Sequence, residues 1–212
     1  MPNRHVMDVA YGRAHADKII ENGKLVNVLT GEIYPADVAI ADGRVAAVGD
    51  VSAQKGPDTE IIDAEGRYLT PGLIDGHLHI ECSKLSVTML ADMVARYGTT
   101  SVISGLDQVL VAAGIDGVKE FLAEAADSSV HVWWGAPAKA PYTIPESNVG
   151  YAFKAEDHKI AQEMPECVGL WETVQEMVED GDEDVLAAMD MAEKNRLHAF
   201  GCAPLVDARR VA

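Results

Sequence analysis

Positive charge is scarce in this sequence. Seventeen Lys and Arg stand against 34 Asp and Glu, a formal net charge of −17 at pH 7. Nucleic-acid binding needs Lys and Arg clustered against phosphate, so that class is excluded. No apolar run approaches the roughly 20 residues of a membrane-spanning helix. The opening stretch MPNRHVMDVAYGRAHADK has no apolar signal-peptide core. These absences predict a cytoplasmic chain with neither membrane nor nucleic acid as partner. Cysteine is sparse too: Cys82, Cys167 and Cys202 are widely spaced and include no CxxC pair. That excludes a disulfide framework and a zinc ribbon, and makes buried thiols the default. GxGxxG, Walker and GxSxG motifs are also missing. Much of the acid lies in ETVQEMVEDGDEDVLAAMDMAEK, the pattern of a solvated helical face.

What is present is apolar substance, 48% of 212 residues, enough for a substantial core. Residues 1–15 show no period and read as an N-terminal arm. Residues 16–70 are β-like. Short Ile- and Val-rich runs are punctuated by Asn22-Gly23 and Asp42-Gly43, both expected to be tight hairpin turns, so a small antiparallel sheet or β-sandwich domain is predicted.

From 71 to 212 the period changes. The strands GLIDGHLHI, TTSVISG, VHVWWGAP, CVGLWE and LHAFGCAP alternate with helical stretches such as SVTMLADMVARYG, GIDGVKEFLAEAADS and DEDVLAAMDMAEKNR. Alternating strands and helices imply a parallel sheet. The fold class is therefore α/β: a partial TIM-type (β/α) barrel of about five units, where a closed barrel needs eight. A fragment of that kind has an open edge. The expectation is that a second polypeptide, or further chain, completes the barrel core in a hetero-oligomer.

The chemistry concentrates in YLTPGLIDGHLHIECS. His77 and His79 are two apart, so on a strand they project to the same side. They stand near the C-terminal end of the first barrel strand, the catalytic face of such barrels. Neutral imidazoles ligate Zn, Fe or Mn. Alone, HxH also fits surface or core histidines; at the start of a βα series it points to metal.

TPGLIDGHLHIE, preceded by ADKIIENGKLVNVLTGEIYPADVAIADGRVAAVGD, resembles the N-terminal half of the amidohydrolase superfamily, and within it the adenine deaminase family. The likeness runs from about Ala16 to the end and takes in ARYGTTSVIS, VGLWE and FGCAPLVDARRVA. It implies a site of one or two divalent metal ions (Mn, Fe or Zn) built from strand ends. His77 and His79 match its HxH, and Glu172, ending GLWE, matches its bridging carboxylate. It implies hydrolysis of a C–N bond. The general-base Asp belongs to the eighth strand, so no catalytic residue is expected in this chain and activity is expected only with a partner.

Three departures qualify the resemblance. GCAP puts Cys202 where the family has a His ligand, so Cys202 is either a thiolate ligand or an inert thiol. GLDQ stands where the family has DPHE, which puts adenine in doubt and leaves Asp107 as a substrate contact or a solvated loop carboxylate. Glu81 is a candidate carboxylate behind a ligand histidine, or merely solvated. Of Trp133 and Trp134, which are strand neighbours, only one can line a pocket, and Trp134 is taken as the substrate-binding one. His131, His158 and His198 are given structural or surface roles, and APYTIPESNVG is long enough to be a lid. The substrate expected is a cyclic amide, imide, lactam or related heterocycle. The alternatives are an adenine deaminase-like aminohydrolase that releases ammonia, and a non-catalytic structural subunit of an amidohydrolase complex.

Overall fold

The computed structural model describes residues 3–142 and 150–203. The chain divides into two compact units, Met1–Pro71 and Gly72–Ala212. The segment read as a lid falls largely on 143–149, outside the described residues.

In the first unit, β1 (Lys18–Asn27), β2 (Glu32–Ala41), β3 (Arg44–Gly49), β4 (Glu60–Asp63) and β5 (Tyr68–Leu69) form one mixed sheet. The order is β3-β2-β1-β4, with β5 also on β1. The first three strands pair antiparallel, while β4 and β5 run parallel to β1. Asp42 and Gly43 turn β2 into β3 with positive φ at both residues, as the sequence led one to expect.

Asn22-Gly23 behaves differently. It does not reverse the chain but makes a bulge inside β1, where the register to β2 shifts between Ile20 and Gly23. Asn22 takes φ 60°, its N–H donates to Asp37, and its amide donates to Asp63. A Cβ on Gly23 would lie 2.3 Å from a methyl of Leu69, so the glycine leaves room for that side chain of β5. Long-range packing thus turns a hairpin signal into a bulge. Residues read as a formless arm include a helix, α1 (Arg4–Ala10), capped by the Asn3 side chain. Its Val9 packs with Ala16, Ile19, Ala39, Ala41 and Val51.

In the second unit, β6 (Leu73–Leu78), β7 (Thr99–Ser104), β8 (His131–Pro137), β9 (Cys167–Val174) and β10 (His198–Cys202) lie side by side in chain order, all parallel. The connections carry α2 (Val87–Ala95), α3 (Asp107–Ala126), α4 (His158–Ala161), α5 (Gln175–Glu179) and α6 (Glu183–Asn195). This is the expected curled part of a (β/α) barrel. Its core joins Val102, Leu106, Leu110, Val118, Leu122, Val132 and Trp134. The outer strands β6 and β10 have no further neighbour among the described residues, and Leu73 and Ile74 stand 60% and 66% exposed there. α3 is broken at Gly114 (φ 68°, ψ −167°): the helix expected from that glycine onward is its second part, and a shorter helical segment opening at Asp107 precedes it.

Helix ends follow local chemistry. Ser86 accepts the Met89 N–H at α2, and Asp182 accepts those of Asp184 and Val185 at α6. His158 is a core residue: it is fully buried, its Nε2 lies 3.0 Å from the Ala138 carbonyl oxygen, and its Nδ1 meets Gln162. No helix among the described residues is long and apolar enough to cross a membrane.

Candidate metal centre

β6 delivers His77 to one end of the sheet and His79 follows just past the strand, their ring centroids 5.5 Å apart. Glu172 arrives from β9. Its Oε1 lies 3.3 Å from His77 Nε2 and 3.0 Å from His79 Nε2. One donor atom from each of the three falls within 4.8 Å of the others.

The backbone of β9 makes this possible. Glu172 has φ 43°, and the pairing of β9 with β10 shifts register between Ala199 and Gly201. A regular strand would send Trp171 and Glu172 to opposite faces. The bulge turns both toward His77: Trp171 is fully buried, its ring centroid 4.2 Å from that of His77. A non-glycine residue at positive φ stores strain, and such strain gathers at functional sites.

Around His79 the charge is one-sided. Its Nδ1 is 3.0 Å from Asp107 Oδ2 and 3.6 Å from Glu81 Oε1. Burial works to lower the His79 imidazole, but the hydrogen bond to Glu172 and the charges of Asp107, Glu172 and Glu81 outweigh it and raise it above the ordinary range. Burial pushes the Asp107 carboxyl up to about 7; His79 opposes this, while Glu172 and Glu81 add to it. Glu172 is held low despite its burial, by Tyr142 and by the two histidines. No Lys or Arg among the described residues pairs with these carboxylates. Three carboxylates and two imidazoles converging without a fixed cation are a donor set that fits a divalent ion.

Not every candidate joins the group. Cys202 ends β10 half-buried, with its thiol pushed up by burial and by Glu172, Glu176 and Asp107, and it lies outside the 4.8 Å ligand groups. Glu81 sits behind His79, its Oε1 also 3.4 Å from the Gln108 N–H. Asp107, expected in an open loop, is instead buried in the first turn of α3, 2% exposed. Trp134 is wholly buried and its Nε1 donates to the Gly105 carbonyl at 2.8 Å, so it lies in the core under the site. Trp133 turns the other way, against His131.

Two neighbours were missed in the sequence. Trp171 carries no motif of its own; only Gly105 and Gly135 mark it, since a Cβ at either would stand 2.4 Å from its ring. Tyr142 is half-buried, with its hydroxyl facing Asp107 and Glu172; burial first, then those charges, raises its ionisation above that of free tyrosine.

No family model matches the chain. It is 52% identical over 200 residues to adenine deaminase 4 of Rhizobium meliloti (strain 1021), covering 94% of this chain and 33% of that protein. It is 53% identical over 190 residues to adenine deaminase 1 of Desulfotalea psychrophila, covering 90% and 32%. The chain thus spans about a third of the length of these curated relatives. In fold it is similar to a crystal structure of an adenine deaminase, with TM-score 0.58 at 20% identity, over 89% of this chain and 52% of that one. It is likewise similar to the zinc-bound N-acyl-D-glutamate deacylase of Bordetella bronchiseptica, with TM-score 0.57 at 18% identity, over 88% and 45%.

Proposed function

Taking the chain as a sequence relative of the adenine deaminases that carries the amidohydrolase fold, we propose that it supplies the HxH-and-carboxylate part of a metal-dependent hydrolase of non-peptide C–N bonds. The convergence of His77, His79 and Glu172 carries this reading. An ion held there would act as a Lewis acid on the scissile carbon and on the attacking water. The chain's own residues do the rest of the local work. Two imidazoles and a carboxylate hold the ion, Trp171 fixes the His77 ring, and the buried carboxylates around His79 compensate charge. Mn, Fe and Zn all suit this donor set.

The comparisons favour the deaminase reading over hydrolysis of a cyclic amide, because the identity near 50% is to proteins named adenine deaminases. The substrate class is then an amino-purine, and the reaction releases ammonia. The remaining strands and the general-base Asp would belong to the two thirds of the relatives' length that this sequence does not span. One observation favours a second reading, a non-catalytic subunit: Cys202 replaces the family histidine and stands outside the ligand group.

Ammonia release from adenine, beside ring opening of a hydantoin and a dihydropyrimidine, tests the proposal on the purified chain with any polypeptide that accompanies it. Metal-dependent ammonia release supports it. Ring opening without deamination would restore the cyclic-amide reading. Bound metal without turnover on any of the three would favour the non-catalytic subunit.

A further inference from the structure

Asp107 stands in the first turn of α3 but does not cap it. The capping position is Leu106, at φ 54°, and neither Asp107 oxygen accepts a backbone N–H. A first-turn carboxylate ordinarily caps the helix or lies in water. This one is 2% exposed and has no Lys or Arg partner among the described residues. Besides the Tyr142 hydroxyl, its neighbour is His79, with Oδ2 3.0 Å from Nδ1, two buried atoms that face each other without hydrogen-bond geometry.

The loop before α3 fixes that approach. Trp134 Nε1 holds the Gly105 carbonyl at 2.8 Å. A Cβ on Gly105 would stand 2.6 Å from Asp107 Oδ2 and 2.4 Å from Trp171 Nε1, so only glycine lets the carboxylate reach inward past the indole. Glu81, at 3.6 Å from Nδ1, is beyond hydrogen-bond reach.

We infer that Asp107 is a positioning residue for His79 and not a substrate contact. This rests on the metal-centre reading above. A neutral imidazole carries one proton. In this structure Nε2 donates to Glu172 Oε1; with an ion on Nε2 the proton would sit on Nδ1, 3.0 Å from Asp107 Oδ2, where a small turn of the ring would let Asp107 accept a hydrogen bond from it. The GLDQ loop thereby gains a role in metal binding that a substrate-facing loop would lack.

The test is zinc affinity, by competition with a chromophoric chelator, together with the visible spectrum of the cobalt-loaded protein. Wild type, Asp107→Asn, Asp107→Ala and His77→Ala are compared, with circular dichroism to establish folding. Loss of the orienting carboxylate should weaken zinc about 10–100-fold and shift the cobalt bands, with Asn, which keeps an acceptor, losing less than Ala. Unchanged zinc affinity and spectrum in a folded Asp107→Asn, with only KM raised, would overturn the inference and return Asp107 to the substrate. If Asp107→Ala does not fold, the near-isosteric Asn variant decides alone. The control keeps the two readings apart. Should His77→Ala bind zinc as wild type does, the metal centre itself is wrong; should only His77→Ala lose zinc, this inference alone fails.

Discussion

Glu172 meets His79 with Oε1 3.0 Å from Nε2 while its own backbone sits at φ 43°. The contact and the strain are one feature, because only the bulged backbone brings this carboxylate to the histidines. A left-handed conformation costs a residue with a Cβ about 1–2 kcal/mol, and glycine escapes that cost. Glu172→Gly should therefore be about 1 kcal/mol more stable than Glu172→Ala, melting roughly 2–4 °C higher, while metal binding is lost in both. Melting curves and elemental analysis on the same samples check both halves.

Trp171 is wedged against two glycines. A Cβ on Gly135 would lie 2.4 Å from its ring, and the ring in turn packs at a tilt against His77. Gly135→Ala should overpack the site, costing about 1–3 kcal/mol, and should weaken metal binding because the His77 ring is displaced. Chemical denaturation, with tryptophan fluorescence as the reporter of ring displacement, measures both effects.

His158 gives the fold a pH dependence of its own. Burial lowers its imidazole, although the hydrogen bond to Ala138 and the charge of Asp157 work the other way. The unfolded chain, with an ordinary value of about 6.5, then binds more protons than the folded one as pH falls. The stabilisation from this neutral histidine is complete above about pH 6.5 and lost as pH drops through the lowered folded value. His158→Gln should flatten the stability profile between about pH 5 and 7. It should also cost roughly 1–3 kcal/mol at neutral pH where the Ala138 carbonyl loses its donor.

Lys139 and Asp182 tie the segment after β8 to the start of α6, Nζ to Oδ2 at 2.8 Å, with Lys139 buried. Burial pushes the Asp182 carboxyl up, but Lys139 and the Val185 and Asp184 N–H groups outweigh it and hold it low. This stabilisation is present above the ordinary value of about 3.9 and is lost as pH falls through the lower folded one. Asp182→Asn keeps the helix cap and removes the charge. At pH 7 it should cost about 2 kcal/mol, a difference from wild type that shrinks toward pH 3 in denaturant titrations.

The parallel strands and the HxH pair were legible because both depend on period alone. Alternation suggests His77 and His79 on one side, and the rings do meet, although His79 lies just past the end of β6. Residues governed by packing were not legible. Asn22-Gly23 carries a hairpin signature, yet it forms a bulge inside β1, where Asn22 bonds to Asp37 and Asp63 and Gly23 lies against Leu69. Asp107 reads as a loop residue, yet it opens a short helical segment ahead of the break at Gly114. Trp171 enters the site only through a bulge that no local pattern announces.

The central claim is that His77, His79 and Glu172 hold one divalent centre. X-ray absorption at the metal edge, on protein purified with whatever accompanies it, tests this most directly. The account predicts a metal with imidazole scattering and nitrogen or oxygen neighbours at about 2.0–2.2 Å, and loss of the imidazole signal in His77→Ala. A protein without metal, or a sulfur-dominated shell near 2.3 Å that His77→Ala leaves unchanged, would contradict it.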